Sequence, residues 1–101
     1  MEVIWTKEAL VDVKEIYNYY KYNASIRIAK NLKNKILFST KTLNKQARQG
    51  QAEELLKHKN EEYRYLVTGN YKVIYKITDK NEIFIMKVFD CKRNPEIIRQ
   101  M

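Results

Sequence analysis

Residues 62–95 read EYRYLVTGNYKVIYKITDKNEIFIMKVFDCKRNP, and this stretch decides the fold. Three β-prone runs are cut by two polar turns, Thr68-Gly69-Asn70 and Thr78-Asp79-Lys80-Asn81, which predicts an antiparallel meander. In Tyr71–Ile77, Lys72, Ile74 and Lys76 alternate with Tyr71, Val73, Tyr75 and Ile77, the period of a strand with two unlike faces. Ile83–Phe89 hardly alternates. A run apolar on both sides suits a strand covered on both faces and so lies near the middle of the sheet. Asn94-Pro95 ends the last strand, because proline cannot donate to a ladder.

Upstream, Glu2–Trp5 is a short β-prone start and Thr6 stands where a helix N-cap is wanted. Ala9, Val13, Ile16, Tyr17 and Tyr20 recur at the spacing of one helical face, predicting a helix from Lys7 to about Tyr22. Asn23-Ala24-Ser25 breaks it. Ile28, Ala29, Leu32, Ile36 and Leu43 continue the period in a second helix expected to run to about Lys45. Two helices joined so closely lie antiparallel. Gln46–Gln51 reads as a loop, and Ala52–Asn60 as a helical turn or two or an irregular arm. The expected fold is α+β in the order β-α-α-β-β-β, with the first strand at an edge of a small antiparallel sheet and a helical hairpin on one face. The residues beyond Pro95 are too few for more than a tail.

At 101 residues the chain is expected to be one domain over residues 1–101, large enough for one modest core. One proline and two glycines argue against a linker or disordered tail. Twenty Lys and Arg against twelve Asp and Glu give a formal charge of +8. So large an imbalance on so small a body favours an anionic partner, either nucleic acid or an acidic protein segment; a merely lysine-rich surface is the plainer alternative. A lone cysteine, Cys91, excludes an intrachain disulfide and is read as a small buried or half-buried hydrophobe. No run reaches the roughly 18 apolar residues of a membrane span, and no apolar leader core opens the chain. Cytoplasmic residence and no membrane association are expected.

The side chains that carry chemistry are few. His58 is the one histidine and reads as a surface residue. Glu53-Glu54 and Glu61-Glu62 are adjacent pairs whose carboxylates diverge, so no metal is expected, and no glycine-rich loop suggests a cofactor. Eight tyrosines among many lysines invite a base-stacking platform. Their parity argues against it for most: Tyr17 and Tyr20 belong to the inner helical stripe, Tyr71 and Tyr75 share a strand face with Val73 and Ile77, and Tyr19 and Tyr22 are left to solvent. If the helices cover one sheet face, the other still shows Phe84, Met86 and Val88 or their alternates, which a short tail hides only in part. Exposed apolar area on a basic body is a docking surface, fitted to an amphipathic segment rich in Glu and Asp.

Val3-Ile4-Trp5-Thr6 with Ala9, then Ile16 and Tyr20, then Gly69-Asn70-Tyr71-Lys72-Val73-Ile74-Tyr75, then Val88-Phe89-Asp90 and Arg93-Asn94-Pro95, together resemble the RelE/ParE superfamily of bacterial type II toxins. The resemblance implies a small basic toxin, of the kind called plasmid stabilisation proteins, silenced by an acidic antitoxin in a hetero-oligomer. Its members divide by target. The RelE type cuts messenger RNA on the ribosome, and the ParE type poisons DNA gyrase. Cleavage of the RelE kind needs a proton acceptor, a proton donor and cations around the phosphorane. The resemblance puts Lys72 and Arg93 on that phosphate, with Arg64 or Lys92 assisting. The tail Asn94–Met101 has neither Tyr nor His where the family has a terminal phenol or imidazole, and Tyr63-Arg64-Tyr65 replaces a lysine-rich strand. A ParE-like toxin asks only for a binding surface, here Phe84, Met86 and Val88 with Lys92, Arg93 and Arg99. The ParE-like reading, without catalysis, is the expectation; a RelE-like metal-independent endoribonuclease is the alternative, and a non-toxic adaptor on the same fold a third.

Overall fold

The computed structural model describes residues Met1–Met101. Five strands form one sheet: β1 (Glu2–Trp5), β2 (Gln51–Ala52), β3 (Glu62–Thr68), β4 (Tyr71–Ile77) and β5 (Glu82–Asp90), in the order β1-β5-β4-β3-β2. The last three long strands are the antiparallel meander, and β1 joins it at an edge, parallel to β5. Helices α1 (Lys7–Asn23) and α2 (Ile26–Ser39) form the hairpin on one face. The tail is more than a tail. It makes a helical turn, α3 (Glu96–Arg99), that buries Ile98 completely.

Local chemistry fixes the boundaries. Thr6 Oγ1 accepts the Ala9 N–H at 3.2 Å, capping α1, and donates to the Ile85 carbonyl at 2.7 Å, which ties the cap to β5. Ser25 caps α2 through the Ile28 N–H. The second helix stops at Ser39, short of the expected Lys45. The hydroxyls of Ser39 and Thr40 bond back to the carbonyls of Ile36 and Leu37, satisfying the helix end in place of another α turn. A 3₁₀ turn over Lys41–Asn44 comes next and still delivers Leu43 to the core. Gly69, at φ 58°, forms with Asn70 the two-residue turn between β3 and β4. Asn81 adopts φ 60° in the next turn, a conformation asparagine tolerates better than most residues.

The helix-facing core holds Ala9, Val13, Ile36, Leu43, Val73, Tyr75, Ile83, Ile85 and Val88. Tyr75 is fully buried. Its hydroxyl donates to the Ala47 carbonyl at 2.7 Å and accepts from the Gly50 N–H at 3.0 Å, so the polar end of the ring is satisfied inside the core. Gly50 is therefore a packing residue as well as part of a loop. A Cβ there would lie 2.6 Å from that hydroxyl and 2.7 Å from the Tyr65 carbonyl oxygen.

One irregularity re-aims β5. Tyr75 pairs with Ile85 while Ile74 pairs with Lys87, so Met86 is the extra residue of a β-bulge. Beyond it the parity of the strand reverses. Val88, expected on the open face with Phe84 and Met86, instead lies buried against the helices, and Phe89 takes the opposite face. Two smaller expectations also fail. Ile28 is 49 % exposed, because α2 turns Ala29, Leu32 and Ile36 inward and leaves it on the flank. Cys91 is exposed, standing one residue past the ladder's end with its N–H on the Asn70 carbonyl. No helix is long and apolar enough to cross a membrane.

Candidate functional site

The sheet's second face carries Tyr63, Tyr65, Val67, Lys72, Ile74, Lys76, Phe84, Phe89 and Ile4, as the register across β3, β4, β5 and β1 requires. Part of it is roofed. Leu56, Ile74, Phe89 and Ile98 form a second buried cluster, with Leu55, Tyr63, Tyr65, Ile97 and Met101 packed around it. The roof is the 3₁₀ turn Glu54–Leu56 and α3, neither of which shows in the sequence as a strong helical period. Ile4, Phe84 and Met86 lie outside this cluster and are half-buried. The open apolar area is thus real but smaller than the sequence suggests, lying at the β1–β5 side and, on β3, at the exposed Val67.

Lys72 lies under the edge of the roof. Its Nζ donates to Glu53 Oε2 at 3.0 Å and stands 4.1 Å from the centre of the Tyr65 ring. Glu53 is 4 % exposed, and its other oxygen accepts the Leu55 N–H, capping the 3₁₀ turn. The Lys72 ammonium is therefore engaged by a buried carboxylate and an aromatic face at once. Arg64 is on the opposite, helix-facing side of β3, in register with Tyr75. Its guanidinium donates to Glu62 at 2.6 Å and to the Gly50 carbonyl at 2.8 Å, while Arg48 binds the same carboxylate through two bonds. Hydrogen bonds from Arg48 and then Arg64 hold the Glu62 carboxyl below its ordinary value. Lys72 and Arg64 are thus separated by the sheet itself, and each is committed to a carboxylate of its own chain.

Lys92 and Arg93 are exposed just past β5, on a turn whose Asp90 accepts the Lys92 and Arg93 backbone N–H groups. Neither side chain is in an ion pair, unlike Lys72 and Arg64. Both stand at a cleft of about 360 Å³ between α1 and the ends of β4 and β5, with Tyr19, Tyr20, Tyr71 and Asp12. Burial, then the Tyr20 hydroxyl 3.5 Å away, pushes the Tyr71 phenol far above its ordinary value. Arg99 is exposed on α3 and pairs with Glu96 one turn earlier.

Three residues that sequence reasoning missed shape this region. Asp12 reaches from α1 to accept the Val88 N–H at 2.9 Å, next to the bulge, and its carboxyl is raised above the ordinary range by burial. The signal was present: Asp12 sits between Ala9 and Ile16 at i+3 and i−4, a polar residue inside an apolar stripe. Glu53 and Tyr65 had no such signal, because their importance depends on a register that a short irregular arm creates.

A family model for the ParE toxin of the type II toxin-antitoxin system parDE matches residues 3–95. No curated protein matches the chain. Among solved structures, one described as the chromosomal ParDE toxin-antitoxin system from P. aeruginosa is similar, with a TM-score of 0.76 at 21 % identity, over 91 % of this chain and 97 % of that one.

Proposed function

Because the chain belongs to the ParE toxin family of type II toxin-antitoxin systems, and so is the toxin component of such a system with an antitoxin as partner, we propose that it acts by binding DNA gyrase and not by cutting RNA. The observation that carries this reading is the Lys72 ammonium, held 3.0 Å from buried Glu53 and stacked on Tyr65. Glu53 already offsets the charge of that ammonium, which leaves less of it to stabilise a phosphorane, and Arg64, on the far side of the sheet, cannot join it there. Binding asks for less. The half-buried patch of Ile4, Phe84 and Met86 supplies apolar contact, and the unpaired Lys92 and Arg93, past the far end of β5, supply charge. An antitoxin rich in Asp and Glu suits the same basic body, forming a hetero-oligomer in the cytoplasm.

The test runs two assays on one preparation. Purified protein added to gyrase is expected to block supercoiling of relaxed plasmid, and added to translating ribosomes it is expected to leave messenger RNA uncut. Cuts in the message that vanish in Arg93→Ala or Lys72→Ala, with supercoiling untouched, would establish the endoribonuclease instead.

A further inference from the structure

All of the chain's net charge is carried by one segment. Residues 16–52 hold eight Lys or Arg and no Asp or Glu. Twenty cations less eight leaves twelve, which the twelve acids of the remaining residues balance. The centre of that segment is α2, whose cations Arg27, Lys30, Lys33 and Lys35 are in no ion pair. At about 100° per residue, Arg27, Lys30, Asn31, Asn34, Lys35 and Phe38 fall within roughly 140° of arc directly opposite Ala29 and Ile36, which face the core. All six are exposed. From Arg27 to Lys35 the arc runs about 12 Å along the helix.

This surface differs in chemistry from the groove beside it. Leu10, Val13, Tyr17 and Leu37 make an apolar seam between α1 and α2, a cleft of about 240 Å³ suited to a protein segment. The outer arc of α2 has no such seam. It offers unpaired cations, two carboxamides with donors and acceptors, and one ring, Phe38, 68 % exposed with the Lys41 ammonium 5.5 Å from its centre. Cations and amides without acids or an apolar stripe match a ladder of phosphates and polar base edges better than an amphipathic helix. A 14-residue helix presenting that arc fits the roughly 12 Å width of a B-form major groove, whereas the major groove of duplex RNA is too narrow to admit it.

We propose that the outer arc of α2, carried by Arg27, Lys30 and Lys35, is a binding surface for double-stranded DNA. It lies on the helical layer, away from the sheet face assigned to the protein target, so duplex DNA and a protein partner would occupy the toxin together. Its failure would leave the toxin reading where it stands.

The experiment measures anisotropy of a short labelled DNA duplex against the full-length protein from 50 to 200 mM salt. Three phosphate contacts give a slope of log K on log salt of about −2.7, or a loss of affinity of roughly 40-fold across that range. Arg27→Gln, Lys30→Gln and Lys35→Gln combined should remove most of this slope, with circular dichroism unchanged because all three side chains are exposed. A control with Lys7→Gln, Lys57→Gln and Lys80→Gln loses the same formal charge elsewhere and should bind as the wild type does. Equal losses in both triple variants would reduce the effect to net charge and overturn the proposal. So would absence of binding, equal or tighter binding of the same sequence as duplex RNA, or displacement by polyglutamate at matched charge, which would make the arc a surface for acidic protein.

Discussion

Removing Lys72 should cost more than removing the carboxylate it pairs with. The two partners differ in exposure: the Glu53 side chain is 3 % exposed and that of Lys72 22 %. In Lys72→Ala the carboxylate stays buried beneath the 3₁₀ turn with only the Leu55 N–H to solvate it, and an uncompensated buried charge costs about 3 to 5 kcal/mol. The loss of the ammonium from the Tyr65 ring adds about 0.5 to 1 kcal/mol. In Glu53→Gln the amide still accepts from Leu55 while Lys72 reaches water, so about 1 kcal/mol is expected. Lys72→Met with Glu53→Gln leaves a neutral, space-filling pair and should recover most of the difference. Urea unfolding followed by circular dichroism gives the three values and their coupling. For a domain of this size 3 kcal/mol corresponds to a fall of roughly 12 to 20 °C in Tm. A Lys72→Ala protein as stable as the wild type, or less destabilised than Glu53→Gln, would refute the reasoning that this lysine neutralises a buried charge.

Other perturbations read separate parts of the fold. Gly50→Ala forces a methyl group against the Tyr75 hydroxyl and the Tyr65 carbonyl, and should cost about 3 kcal/mol in the same unfolding assay. Tyr75→Phe keeps the ring but strands the Gly50 N–H and the Ala47 carbonyl, for about 1 to 3 kcal/mol. The Glu62 carboxyl is held below its ordinary 4.5, so its contribution to stability is complete above that pH and is lost as pH falls through the lower folded value. In Glu62→Gln the decline of unfolding free energy below pH 4.5 should be shallower than in the wild type, by a modest amount since the side chain is 34 % exposed.

The meander was legible because its signals are local. Two turn sequences bracket an alternating run, and Gly69 takes the left-handed conformation its turn requires. The hairpin of helices was legible for the same reason, through Thr6, Ser25 and a 3.6-residue period. Its end was not: Leu43 keeps the apolar period and reaches the core although Ser39 and Thr40 bond back onto the helix, so the period carries no mark of the stop. The bulge at Met86 left no mark in Ile83–Phe89, since a run apolar on both sides reads identically in either register. That ambiguity sent Val88 to the wrong face. Of the candidate site, the exposed cations Lys92, Arg93 and Arg99 needed only a strand end to be found, whereas the engagement of Lys72 by Glu53 depends on two segments 19 residues apart meeting through an irregular arm.

The most direct measurement compares gyrase supercoiling in the presence of three purified proteins: wild type, the neutral pair Lys72→Met with Glu53→Gln, and Phe84→Glu, which places a charge in the half-buried patch. Inhibition by the first two and its loss in the third is the expected result, with all three folded by circular dichroism. A neutral pair that no longer inhibits, or a Phe84→Glu protein that inhibits as fully as the wild type, would contradict a toxin that works through that patch and not through its strand lysine.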